Sequence, residues 1–373
     1  MNITLDAYFC KESVLYGDDN LILLHYNFTG RLIGRSTEML TFTNLLGVLI
    51  SLFIMVENIT VLVALCWYLR LRRWVHCCLA NIAFSDFMAG FSYLLNVSLS
   101  GPVTFLLNTK LWFLREGLLF TTLAASIFSL LVTAVERYST MVLPVSETRL
   151  GKSMRVQGLI ALCWLLAIVV GFLPLFGWNC LCQIENCSSL LPLYSRHYLL
   201  FSLILLGATL LGIIGFYCTI YFLVCTSAKR VAITNQSRRS FHLLQTVLII
   251  LGCFVICWSP LFFFLLVDCS CSPPACKSPL KLEWVLAMAV LNSALNPLIY
   301  SFRSSEVRKA LMALCCCVCI QAGVRLPPCC QVGKDITSGS SNESSLRRRS
   351  SVRLSRALSI RSPLTSISSV PSQ

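Results

Sequence analysis

The sequence predicts an all-α membrane protein, a seven-transmembrane helix bundle followed by a short cytoplasmic amphipathic helix. Three observations carry this. The chain is 56% hydrophobic and only 12% charged, with a mean hydropathy of +0.76, whereas soluble domains carry about 25% charged residues. Its apolar residues gather in seven long runs, at 40–68, 75–100, 111–138, 157–178, 196–226, 241–267 and 283–302. Its lysines and arginines crowd into alternate connections. Each run reaches the about 20 residues needed to cross roughly 30 Å of hydrocarbon, and a helix satisfies its own backbone there. The period-two alternation that marks a membrane β-barrel is absent from the sequence.

The basic residues set the orientation. Arg70, Arg72 and Arg73 fall in the first connection, Arg149, Lys152 and Arg155 in the third, and Lys229, Arg230, Arg238 and Arg239 in the fifth. Eleven more follow residue 302, among them Arg347, Arg348 and Arg349. The first 39 residues hold five acids against three bases. The N-terminus is therefore expected outside and the C-terminus in the cytoplasm. The net charge of +14 follows from that bias and calls for no nucleic-acid partner. Four regions are expected: an extracellular segment at 1–39, the bundle at 40–302, an amphipathic helix with lipidated cysteines at 303–319, and a disordered tail at 320–373. No apolar run of signal-peptide length occurs in residues 1–39, so the first span is expected to act as the anchor. Asn2 and Asn27 are the expected glycosylation sites, each opening Asn-X-Ser/Thr on the outer side.

The spans carry motifs in order. The first has "VEN" with Asn58, the second "LANIAFSD" ending at Asp86, and the third closes on "ERY", Glu136 to Tyr138. The fourth has Trp164, the sixth "CWSP" from Cys257 to Pro260, and the seventh "NSALNPLIY" with Asn292, Asn296, Pro297 and Tyr300. Asp86 is an acid in mid-membrane, which marks function by default. Asn292 and Asn296 are four apart and share a helix face; with Ser126 they offer Asp86 polar partners. Pro260 and Pro297 each remove a helical hydrogen bond and allow a kink.

This set resembles the rhodopsin-like G-protein-coupled receptors across the membrane core. The resemblance implies activation by an outward swing of the sixth helix, with Asp86, Arg137, Trp258, Asn296, Pro297 and Tyr300 as switches. It implies a sodium ion held by Asp86, Ser126, Asn292 and Asn296 and no other cofactor or metal. It also implies a heterotrimeric G protein, of the inhibitory class, as partner. The chain departs from the family at three places. Ser240 stands where many members carry an acid that holds the arginine of the "ERY" motif. The fifth span has no internal proline. Trp112 replaces the cysteine usual at the outer end of the third span, so the common disulfide to the second outer loop cannot form. Two outer loops carry three cysteines each, Cys180, Cys182 and Cys187, and Cys269, Cys271 and Cys276. Cys180 with Cys187, and Cys271 with Cys276, could each close a small loop, leaving one cysteine over in each.

The missing cysteine points to the lipid-receptor branch. "HYNFTGRL" at 25–32, "WFLREG" at 112–117, "GWNCLC" at 177–182 and "LLPLYSRHY" at 190–198 resemble the sphingosine 1-phosphate receptors. "LRRWVHCCLANI" and "LTSISSV" at 364–370 point to the type-4 branch of that family. The ligand so implied has an anionic phosphate, an ammonium, a hydroxyl and a long alkyl tail. Arg115 suits the phosphate, which guanidinium grips bidentately, and Glu116 suits the ammonium. Tyr26, Arg31 and Asn96 match further polar contacts in the family. Adjacent residues on a helix diverge by about 100°, so Arg115 and Glu116 are expected to be poor partners for each other. Glu116, Phe120 and Leu123 follow one helix face, as do Trp258, Phe262 and Leu265. Periodicity alone reads these as helix packing; the charged pair above them and the resemblance make them a tail pocket.

Two rivals bear on this reading. Lysophosphatidic acid receptors carry Gln where this chain has Glu116, since their ligand lacks an ammonium, and cannabinoid receptors lack the Arg–Glu pair. A transporter would show inverted repeats or interrupted helix pairs, which the sequence does not. No catalytic constellation presents itself, so the chain is not expected to be an enzyme.

After Tyr300, "SFRSSEVRKALMALCCC" sets Val307, Ala310, Leu311 and Leu314 against Arg308 and Lys309. This reads as an interfacial helix ended by palmitoylated Cys315, Cys316 and Cys317; a zinc site would want histidines or paired C-x-x-C motifs, which are absent. The Ser- and Arg-rich tail offers sites for receptor kinases and, once phosphorylated, for arrestin; unmodified, it would rest on anionic lipid of the bilayer.

Overall fold

The computed structural model describes residues 20–29, 42–69, 71, 74–142, 149–230, 235–270 and 282–321. The chain divides into two compact units, 1–311 and 312–373. A short helix, α1 (Asn20–Phe28), precedes seven helices long and apolar enough to cross a membrane: α2 (Phe42–Trp67), α3 (Trp74–Ser98), α4 (Thr109–Val142), α5 (Arg149–Phe172), α6 (Arg196–Arg230), α7 (Asn235–Ser270) and α8 (Leu282–Arg303). A last helix, α9, runs Ser305–Gln321. Among the described residues there is no strand, only an isolated bridge between Cys187 and Ser195.

The seven spans form the expected bundle, with several shifts of boundary, the largest at the fourth, which starts at Arg149 rather than 157. The third and sixth run further than their apolar residues suggest, because helix continues through the polar ends at Thr109–Lys110 and Asn235–Ser240. The fourth stops at Phe172 rather than 178, because Pro174 disfavours helix at the residue before it. Pro260 and Pro297, in contrast, lie inside continuous helices.

The central helix is α4, packed on α3, α5 and α6. Its contact with α5 is a backbone approach. A Cβ on Gly171 would lie 2.1 Å from the Thr121 hydroxyl oxygen and 2.8 Å from its backbone nitrogen, and one on Gly117 would strike the Phe172 ring. Without a hydrophobic drive between helices in lipid, small residues that let backbones meet provide the packing. The outer faces are apolar, with Leu45, Leu49, Leu52, Phe53 and Val56 of α2 exposed. Inside, polar side chains knit the helices. Trp164 donates to Asn81 at 3.0 Å, Asn81 to Ser129 at 2.8 Å, and Asn58 of α2 to the Ser293 carbonyl of α8 at 3.1 Å.

In α9, Val307 and Ala310 are buried while Arg308 and Lys309 are exposed, so the first turns are amphipathic. Glu306 meets His76 of α3 at 3.3 Å. Cys315 and Cys317 are free and exposed. Cys316 is disulfide-bonded, which removes its thiol from those available to an acyl chain. From 322 onward the tail lies outside the described residues.

Candidate ligand-binding site

Arg115 and Glu116 sit in the second turn of α4, and the structure corrects the expectation that they point apart. Nε and Nη2 of Arg115 donate to Oε1 of Glu116 at 2.9 and 2.6 Å. The long arginine side chain curls back toward its neighbour. The two side chains are only 5% and 11% exposed, and a buried charge without a counter-charge costs far more than the restraint of one side chain.

The rest of the guanidinium is held by the loop that follows α3. Gly101 takes φ +67, a left-handed conformation that suits glycine, and opens a 3-10 turn, Gly101–Leu106. This aims Thr104 inward. Nη1 of Arg115 donates to the Leu99 carbonyl at 2.6 Å and to the Thr104 hydroxyl oxygen at 3.1 Å. Asn96 adds a third bond to Oε1 of Glu116, at 3.0 Å. Oε2 accepts no hydrogen bond among the described residues.

A cap covers this pair. Ile22, His25 and Tyr26 form the buried face of α1, while Leu23, Leu24 and Asn27 are exposed. Tyr26 packs edge-on against Phe105, centroids 5.4 Å apart, and its hydroxyl oxygen accepts from Trp112 Nε1 at 3.4 Å. The tryptophan that stands in place of a cysteine thus helps hold the cap. His25, assigned with its proton on Nε2, donates to the Leu181 carbonyl at 3.2 Å, and burial pushes its imidazole below the ordinary value of 6.5. Leu181 lies in a loop closed by the Cys180–Cys187 disulfide, Cα atoms 5.4 Å apart. Cys182, left over by the loop arithmetic, is disulfide-bonded as well. Asn27 is open to modification; Asn2, Arg31 and the Cys271–Cys276 pair lie outside the described residues.

Two cavities follow α4 inward. The first, about 830 Å³ including its open mouth, is lined by Tyr26, Asn96, Thr104, Arg115 and Glu116 together with residues of α2 and α8. The second, about 440 Å³, gathers Phe120, Leu123, Trp258, Phe262 and Leu265, joined by Leu206 of α6. The five apolar residues expected to form one slot do surround one space, but it is a separate cavity from the charged one. Tyr194 of the loop between α5 and α6, fully buried, stacks on Tyr198 at 5.5 Å and packs on Phe120 at 5.7 Å.

Deeper, Asp86 accepts from Ser126 at 2.7 Å, Ser293 at 2.9 Å and Asn296 at 2.8 Å. Asn292 makes no bond to Asp86; Ser293, one position on, does. Both Asn292 and Ser293 lie within a turn of Asn296, so spacing alone could not choose between them. The Asn292 amide oxygen is buried without a hydrogen-bond partner. A carboxylate, two hydroxyls and an orphaned carbonyl oxygen are the hard donors a sodium ion requires, so these residues fit one. Trp258 stacks on Phe254 at 5.5 Å and packs at a tilt on Phe262 at 5.9 Å. At the inner end Arg137 is half-buried and Tyr138 packs on Phe216 at 5.3 Å. Pro297 is buried in α8, and Tyr300 lies on the same helix.

Thr104, the Leu99 carbonyl, Ser293 and Tyr194 escape sequence reasoning. Each is a common residue type that acts through a contact set by how the helices and loops pack, which neither spacing nor motif reveals.

Seven apolar helices, a capped charged cavity at one end and a polar knot leading to an arginine at the other have the build of a seven-transmembrane receptor. The family description "7 transmembrane receptor (rhodopsin family)" matches residues 57–300. The chain is 49% identical to sphingosine 1-phosphate receptor 4 of Homo sapiens over 97% of both chains. It is 47% identical to the Mus musculus protein of that name, over 97% of this chain and 96% of the other. To sphingosine 1-phosphate receptor 1 of Danio rerio it is 40% identical, over 81% and 86%. The chain belongs to the sphingosine 1-phosphate receptor family of rhodopsin-like receptors. Its relatives are receptors rather than enzymes, and it is a multi-pass membrane protein.

Proposed function

We propose that this chain is a cell-surface receptor for sphingosine 1-phosphate that passes binding at its outer face to a heterotrimeric G protein, of the inhibitory class, at its inner face. One observation carries the reading: a buried cation and a buried carboxylate, bonded to each other, above an apolar cavity. A zwitterion can exchange with such a pair without leaving a charge alone. The ligand phosphate takes the guanidinium face of Arg115 that now holds Glu116. The ligand ammonium takes Glu116, whose Oε2 is still open. Tyr26 and Arg31 close over the phosphate, Asn96 steadies Glu116, and Thr104 and the Leu99 carbonyl keep Arg115 in place. The alkyl tail enters the cavity of Phe120, Leu123, Trp258, Phe262 and Leu265, where each buried methylene contributes about 0.8 kcal/mol.

A ligand with phosphate but no ammonium would draw Arg115 away and leave Glu116 buried and unpaired, at a cost of about 3 kcal/mol or more. Pressure of the tail on Trp258 is the natural link to α7, which can pivot at Pro260. Asp86, Asn296, Pro297 and Tyr300 carry the change inward, and Arg137 turns toward the G protein. A sodium ion held by Asp86, Ser126, Ser293 and Asn292 would supply a positive charge that favours the resting packing. Phosphorylation of the tail by receptor kinases recruits arrestin, and palmitoyl groups on Cys315 and Cys317 anchor α9. The N-terminus, with Asn2 and Asn27 glycosylated, faces outward.

The test is nucleotide exchange on membranes bearing the full chain and a G protein of the inhibitory class, against sphingosine 1-phosphate, sphingosine and lysophosphatidic acid. Exchange driven by the first alone is expected. An equal or greater response to lysophosphatidic acid overturns the ligand assignment.

A further inference from the structure

Asp268 stands in the last turn of α7, one turn past Leu265 and on the face of that helix that lines the second cavity. It is buried. Both oxygens of its carboxylate are taken by the loop between α5 and α6. Oδ2 accepts from the Ser188 hydroxyl at 2.5 Å, and Oδ1 accepts from the Ser189 backbone N–H at 3.0 Å. Ser188, fully buried, is the hub of that loop. Its hydroxyl oxygen accepts from the backbone N–H groups of Leu190 and Leu191 at 3.1 and 2.8 Å. Its own N–H donates to the Tyr194 carbonyl at 2.9 Å. One carboxylate on α7 thus bears on where Tyr194 stands.

Tyr194 stands between the two cavities. Its ring packs on Trp112, which lines the first, at 5.6 Å, and on Phe120, which lines the second, at 5.7 Å. The loop holds this position against two costs. Leu193 takes φ +68, a left-handed conformation that a leucine keeps only where its surroundings impose it. The Tyr194 hydroxyl is buried with no hydrogen-bond partner among the described residues, and so forgoes the bonds water would give it. Two hydrogen bonds to a buried carboxylate, stronger than neutral ones, offset these costs. We propose that Asp268 is the latch of a gate: through Ser188 it holds Tyr194 between the headgroup cavity and the tail cavity, and a long alkyl chain must release it to pass from one to the other. Asp268 is then a positioning residue that sets the cost of admitting a long tail without touching the ligand. This rests on the reading of the second cavity as the tail site.

Asp268→Asn keeps the shape of the side chain but not both bonds. Whichever way the amide turns, its NH₂ faces either the Ser189 N–H or a Ser188 hydroxyl oxygen already engaged by two N–H groups. The experiment is competition binding on membranes of the full chain, comparing sphingosine 1-phosphate with an analogue whose alkyl chain is several methylenes shorter. A ligand that needs the open gate binds with its affinity reduced by the open fraction. Asp268→Asn is therefore expected to strengthen the full-length lipid about three- to tenfold and to leave the shorter one near the parent value. Ser188→Ala acts in the same direction, and combining the two brings nothing further, because both cut one connection. Tyr194→Phe removes the unpaired hydroxyl, steadies the closed gate and weakens the full-length lipid relative to the shorter one. Poor folding lowers the number of sites and leaves the ratio of the two affinities where it was. A full-length to shorter ratio that stays at the parent value or falls, in either Asp268→Asn or Ser188→Ala, overturns the proposal. So does a further rise when the two are combined. Leu206→Trp, which fills the tail cavity, separates the two readings. If it leaves the ratio unchanged, the tail-site reading itself fails. If it lowers the ratio while Asp268→Asn does not move it, only the latch fails.

Discussion

Arg115 and Glu116 show how burial overrides a rule that holds at exposed positions. On a solvated helix, neighbours in sequence gain little from each other. In a covered cavity, the cost of an isolated charge bends the longer side chain around. Sequence logic singled out the two residues but not their resting partnership, because the i,i+1 rule says nothing about dielectric. The Asp86 knot teaches the same lesson about spacing. Helical periodicity admits Asn292 and Ser293 equally, and only the rotation of α8 decides. Ser293→Ala should cost about 1.5–3 kcal/mol of thermal stability, the value of a hydrogen bond to a charged group. Asn292→Ala should cost less in sodium-free buffer, yet blunt the rise in melting temperature that added sodium produces. A detergent-solubilised thermal shift series with and without sodium checks both; equal losses from the two variants would contradict the assigned contacts.

Among the elements, α1 is the one whose placement the sequence could not give. Its nine residues are too short to be a stable helix alone and are helical because Ile22, His25 and Tyr26 bury, His25 against the loop of Leu181 and Tyr26 against that of Phe105. The membrane helices, by contrast, were legible from composition, and their ends failed only where polar turns extended them or Pro174 cut one short. Docking of α1 is expected to depend on pH. The His25 imidazole has a depressed pKa when docked, so undocked chain binds protons more readily. The docking contribution is therefore full above pH 6.5 and declines as pH falls from there toward the docked value. Ligand dissociation at pH 5.5 should be faster than at pH 7.4, and His25→Gln should remove most of that difference. A difference that survives His25→Gln would place the titration elsewhere. At the tail cavity, α6 contributes Leu206, which no motif marks. Leu206→Trp should weaken binding of the full-length alkyl chain about tenfold and weaken a chain several methylenes shorter much less, as competition binding would show. Equal losses would place the tail outside that cavity.

At the scale of the whole molecule, the two ends divide the labour along α4. One end carries Arg115 and Glu116, the middle carries Phe120, Leu123 and Ser126, and the other end carries Glu136 and Arg137. One helix packed on three others thus touches both cavities, the polar knot and Arg137. Its backbone contact through Gly117 and Gly171 fixes where Glu116 stands. The fold and family were legible because membrane composition and ordered motifs are long-range statistical features. The division of the binding region into two cavities was not, because it depends on how Tyr194 and its loop fold inward. The central claim is that the buried Arg115–Glu116 pair reads a zwitterion. Competition binding of sphingosine 1-phosphate and lysophosphatidic acid to the parent chain and to Glu116→Gln tests it most directly. The account predicts that the substitution weakens the ammonium lipid by about tenfold or more and strengthens lysophosphatidic acid, so the preference narrows or reverses. Unchanged affinity for sphingosine 1-phosphate, with lysophosphatidic acid still excluded, would contradict it.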